Sequence, residues 1–145
     1  SYRRHADALI PDDLYCHRKG ATDSEALFLI ALGQGLDLDP EGAMQRAMGL
    51  MGDLASKRGE APHIRAACAL SDGRRLFALR YSSDEHAPSL YYRWSASRQG
   101  WAVVSEPLET DQGDWTEVPP GSFCIFDGDN VATSSFCPDS LQAAA

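Results

Sequence analysis

The chain has 145 residues, 43% hydrophobic and 23% charged, and carries a formal net charge of −8. That is one domain's worth of polypeptide, long enough to bury a core. The acidic balance makes a phosphate backbone a poor partner, so no nucleic acid is expected, and with no apolar run of about 18 residues no membrane partner is expected either. Arg3-Arg4 and Arg74-Arg75 are isolated basic pairs rather than a stripe.

The first ten residues are charged and lack the apolar centre of a signal peptide. Cys16, Cys68, Cys124 and Cys137 are widely spaced with no Cys-x-x-Cys, so they read as free thiols and not as a disulfide framework. A cytoplasmic location is therefore expected. His5, Cys16, His17 and His63 lack the paired spacing of a zinc site; no metal and no cofactor is expected. Cys16-His17 invites a nucleophile-base reading, but sequence neighbours rarely face each other.

A short helical turn is expected over Leu9 to Tyr15, with Pro11 at its first position. Thr22-Asp23-Ser24-Glu25 then opens a helix. Thr22 and Glu25 have the spacing of a capping box, in which the hydroxyl accepts from a first-turn amide and the carboxylate reaches back to the cap amide. The helix runs to Leu32 and stops at Gly33 or Gly35. Its apolar run Ala26 to Leu32 is nearly continuous, so burial on most sides is expected. Asp39-Pro40 starts a second helix that continues to about Arg58 before Gly59. Along it Met44, Ala47, Met48, Met51, Leu54 and Ala55 form an amphipathic stripe, with the methionines filling core.

Past residue 62 the hydrophobic period falls to two. Strands are expected over His63–Leu70 and Leu76–Tyr81 about a turn at Asp72-Gly73. Leu90–Trp94 with Trp101–Ser105, and Ser122–Phe126 with Val131–Thr133 about Asp127-Gly128, make two further pairs. Glu109 to Asp114 is an acidic loop. The domain spans 1–134, followed by a flexible tail over 135–145. The fold class is α+β, with antiparallel β-sheets and helices packed on the sheet face.

Asp23 is the candidate binding residue. It is left over beside the unpaired amides at the positive end of the helix, where a carboxylate could take the ammonium of a zwitterion while amides or a cation take its carboxylate. An aspartate in a first turn is also a routine helix stabiliser. Ser105-Glu106-Pro107 places another carboxylate at a strand end, read as a buried partner for an arginine such as Arg80.

Thr22 to Phe28, Ala69-Leu70-Ser71-Asp72-Gly73, Leu76 to Tyr81, Val104 to Leu108 and Trp115 to Pro119 occur in an order that resembles the C-terminal half of a stand-alone class II glutamine amidotransferase. The resemblance covers about residues 5 to 130. It implies an amino-terminal-nucleophile hydrolase, part of a four-layer αββα sandwich, that hydrolyses the side-chain amide of glutamine or a γ-glutamyl compound. It also implies that Asp23 binds the substrate's α-ammonium. The family's N-terminal cysteine and Asn-Gly oxyanion pair are not in these residues: position 1 is Ser1, and the single asparagine is Asn130. The sequence therefore reads as a piece beginning after the nucleophile segment and inactive alone, with no catalytic residue in it. Ser1 has a nucleophile's chemistry but lies too close to Asp23 for the family's intervening strands. The second reading is a catalytically inactive binding or interaction module on the same scaffold. The strand edges that such a piece leaves open point to a homodimer.

Overall fold

A computed structural model describes residues 2–59, 63–108 and 113–139. The chain divides into two units, one of residues 1–62 with 138–145 and one of residues 63–137.

The first unit is helical: α1 (Tyr2–Asp7), α2 (Asp12–Tyr15), α3 (Asp23–Gly33) and α4 (Pro40–Lys57). α1 has no counterpart in the sequence reading, because its charged residues show no helical stripe. α2 begins three residues after the start of the expected turn and one after Pro11, since Pro11 has an extended ψ of 143° and stands outside the helix as its cap. α3 starts where the capping signal puts it. Ala26, Leu29, Ile30 and Ala31 are buried, but Phe28 is 42% exposed, so the burial of α3 on most sides stops short of that residue. At its end Gly33 lies against Pro11, whose Cγ would stand 2.4 Å from an added Cβ.

α4 follows its stripe. The Asp39 side chain accepts from the Gly42 amide at 3.1 Å, Pro40 leads the first turn, and Met44, Ala47 and Met48 are buried. Gly49 sits mid-helix at a cost in helix propensity, and its reason is steric: a Cβ there would stand 1.7 Å from the Asp139 carbonyl oxygen. The Asp139 amide donates to the Gln45 carbonyl at 3.1 Å. The chain is thus ordered past the position where the tail was expected to begin: Ser135 lies in a strand and Phe136 is buried. Residues 140–145 of that tail lie outside the described residues, as do Ser1 and residues 109–112 of the acidic loop.

The second unit holds β1 (Arg65–Ser71), β2 (Leu76–Ser82), β3 (Tyr91–Ser95), β4 (Gly100–Val104), β5 (Thr116–Glu117), β6 (Ser122–Asp127) and β7 (Asn130–Ser135). They form two antiparallel sheets, ordered β1-β2-β6-β7 and β4-β3-β5. The chain is α+β. Expected strands appear with ends shifted by one or two residues; β5, only two residues long, was too short to show a period. β2 and β6 are central and bury both faces, Phe77, Leu79 and Phe123 on one and Ala78, Cys124 and Phe126 on the other. The sheets meet where Tyr92 of β3 and Trp101 of β4 pack edge-on or tilted against Phe126, at 5.1 and 5.0 Å between ring centroids. β7 is an edge strand exposed along its whole length. Among the described residues no helix is long and apolar enough to cross a membrane.

The β1–β2 turn is closed by Asp72. Its carboxylate accepts from the Arg75 amide at 2.6 Å, the Arg74 amide at 2.9 Å and Arg75 Nε at 2.9 Å. Gly73 takes the φ of 88° that the turn needs. These donors hold the Asp72 carboxyl down at about 2, from 3.8. A carboxyl lowered on folding contributes stability that is complete above its unfolded pKa and fades as pH falls through its folded one. Denaturant unfolding should therefore show stability declining between pH 3.8 and about 2, with a shallower decline in Asp72→Asn. Parallel profiles for the two proteins would contradict this.

Candidate functional site

The site lies in the helical unit, at the start of α3. The Thr22 hydroxyl accepts from the Glu25 amide at 3.3 Å, half of the expected capping box. The other half is not formed. Glu25 turns away from the cap and accepts from the Lys19 amide at 2.7 Å, the Gly20 amide at 2.8 Å and Arg18 Nη1 at 2.8 Å. Gly20 makes this approach possible, because a Cβ there would stand 2.9 Å from Glu25 Oε2. The Lys19 amide is the largest influence lowering the Glu25 carboxyl, with Gly20 and Arg18 adding to it against partial desolvation.

Arg18 completes the network. Its Nε donates to Asp7 Oδ1 at 3.2 Å and its Nη1 to the Thr22 carbonyl at 2.9 Å, and its side chain is only 6% exposed. Sequence reasoning did not single out Arg18. The signal was there in the spacing Arg18, Gly20, Glu25: a cation, a residue without a side chain and a carboxylate bracketing one cap.

Asp23 is the first residue of α3 and is exposed. Among the described residues its carboxylate makes no hydrogen bond and no ion pair, in contrast to Glu25 two positions on. Of the first-turn amides, Glu25 donates to the Thr22 hydroxyl and Ala26 to the Thr22 carbonyl, which leaves those of Asp23 and Ser24 without a partner within the helix. An open carboxylate beside these two amide donors is matched in sign to the two ends of an amino acid.

The other candidates stand elsewhere. Glu106 does not pair with Arg80; it is exposed and accepts from Ser89 Oγ at 3.1 Å. Arg80 instead donates from Nη1 to Glu117 Oε1 and to the Val118 carbonyl, both at 2.6 Å, and from Nε to the Pro88 carbonyl at 2.7 Å. Spacing along the chain could not reveal this, since Glu117 reaches Arg80 only because β5 pairs with β3. Cys16 is exposed and its Sγ contacts the Asp13 carbonyl at 3.5 Å. Burial pushes the Cys68 thiol up to about 11 and raises Cys124 as well, which makes both poor nucleophiles at neutral pH. His5 lies 2.9 Å from Arg58 Nη1, and His63 3.7 Å from Asp84. Among the described residues no group of three or more His, Cys, Asp or Glu is placed to hold a metal ion.

The chain is α+β, with two antiparallel sheets and a helical unit whose third helix opens on Asp23 in Thr-Asp-Ser-Glu. A solved structure of a glutamine aminotransferase class-II domain protein from Silicibacter pomeroyi is similar to the chain, with a TM-score of 0.87 and 53% sequence identity over 95% of it. The chain spans 62% of that protein's length. No protein-family model matches the chain, and no curated protein matches it.

Proposed function

We propose that these residues supply the C-terminal, ammonium-binding part of a class II glutamine amidotransferase acting on glutamine or a γ-glutamyl compound, with Asp23 accepting the substrate's α-ammonium. The observation that carries this reading is the uncommitted carboxylate of Asp23 at a helix start where the neighbouring Glu25 is fully engaged. In the hydrolysis so proposed, a thiolate adds to the side-chain amide carbon and hydrogen-bond donors stabilise the oxyanion. The C–N bond breaks as the nitrogen takes a proton and leaves as ammonia, and water hydrolyses the resulting thioester to glutamate and the free thiol. Asp23 serves that sequence by fixing the far end of the substrate, which sets the approach of the amide carbon.

Neither a cysteine at position 1 nor an Asn-Gly pair, which this reading requires, occurs in these 145 residues, so the chain by itself is expected to give no turnover. Incubation with L-glutamine and a coupled glutamate assay should return the buffer rate. Turnover that disappears in Ser1→Ala would instead make Ser1 the nucleophile and remove the division of labour proposed here.

A further inference from the structure

The geometry points to Arg18 as the positioning residue for ammonium recognition, holding Asp23 in place by gripping the chain on both sides of it. This rests on the reading of Asp23 given above.

A single guanidinium nitrogen, Arg18 Nη1, donates to the Thr22 carbonyl at 2.9 Å and to Glu25 Oε2 at 2.8 Å. Thr22 is the residue before Asp23 and Glu25 the second after it, so the binding residue sits inside a ring that Arg18 closes. The rest of the side chain anchors that ring to α1, through Nε and Nη2 to Asp7 Oδ1, both at 3.2 Å. The Glu25 carboxylate extends the ring backward by taking the amides of Lys19 and Gly20. Two carboxylates of one motif thus do opposite work: Glu25 is consumed in building the loop, and Asp23 is left open.

The arrangement requires arginine. Its planar fork presents several donors in a fixed relation, whereas a lysine ammonium is a point charge on a flexible stem. With its side chain 6% exposed, Arg18 is also shielded from competing water. A carboxylate that must meet an ammonium within hydrogen-bond distance tolerates displacement poorly, so loosening the ring should show in recognition of the ammonium before it shows elsewhere.

The test is a titration of the 145-residue chain with L-glutamine and with glutaramic acid, which is glutamine without its α-amine. The readout is the ratio of the two affinities at a temperature where circular dichroism shows each protein folded. The wild-type chain should prefer L-glutamine by about fivefold, the upper range for an exposed ion pair. Asp23→Asn should bring the ratio to about one. Arg18→Lys and Arg18→Gln should bring it most of the way there, and Gly20→Ala, which displaces the Glu25 carboxylate, should do so in part. A change that merely lowered stability would leave the ratio of the folded protein unmoved. Should Asp23→Asn abolish the preference while the Arg18 and Gly20 variants keep it, Arg18 has no positioning role and Asp23 stands. Equal affinities in the wild type, absence of binding by either compound, or a preference that survives Asp23→Asn would overturn both.

Discussion

In a protein that joins these residues to a nucleophile-bearing segment and encloses the substrate, Asp23→Ala should raise KM for L-glutamine by roughly 30-fold or more. The estimate comes from stranding one charge of an enclosed pair, which costs about 2–5 kcal/mol. In the 145-residue chain Asp23 is exposed, and solvent screening should reduce the loss to about 1 kcal/mol or less. The same substitution should leave the fold nearly untouched, because among the described residues the carboxylate has no partner to lose. Only the favourable placement of a negative charge at the helix N-terminus goes, worth about 0.3–1 kcal/mol. Steady-state kinetics alongside thermal melts separates the two effects. An unchanged KM, or a KM change matched by a large drop in melting temperature, would reduce Asp23 to part of the helix start.

The largest expected effect on stability is at Arg80. It is 7% exposed in the strand unit and ties β2 to the segment around β5 through Glu117 and the Val118 carbonyl, and to the loop before β3 through the carbonyls of Pro88 and Ala87. Arg80→Ala strands the buried Val118 carbonyl, at about 1–3 kcal/mol, leaves the part-buried carbonyls of Pro88 and Ala87 to water, and also removes the packing of the long side chain. Relaxation and entering water offset part of this, so a net loss of roughly 2–4 kcal/mol is expected. Glu117→Gln should cost far less: its side chain is 55% exposed, and the guanidinium keeps its carbonyl partners. Urea denaturation of the two variants checks the ordering. A larger loss in Glu117→Gln would mean that the ion pair, and not the carbonyl hub, holds these segments together.

Much of the fold could be read from the sequence because local signals there agree with the tertiary outcome. Asp39-Pro40 capped α4 as its side-chain acceptor and fixed φ dictate, and the stripe from Met44 to Ala55 became core. Asp72-Gly73 turned between β1 and β2. What escaped the sequence depends on contacts that spacing does not encode. Phe28 is exposed although α3 is apolar all round, since periodicity cannot say which side of such a helix lacks a neighbour. Phe136 looked like tail until its amide was found bonded to the Gly121 carbonyl at 2.8 Å and its ring stacked on Phe123. At the candidate site, the start of α3 at Asp23 was legible because Thr22 caps it as the spacing dictates. The departure of Glu25 from the capping box was not, because it needs Gly20 to bring the loop backbone within reach.

Recognition of a glutamine-type ammonium at the start of α3 is tested most directly by nuclear magnetic resonance of the 15N-labelled chain during titration with L-glutamine. Saturable shifts should concentrate in the amides of residues 22 to 26 and weaken sharply when glutaramic acid is used instead. Shifts confined to the strand unit, or equal responses to the two compounds, would contradict ammonium recognition at Asp23.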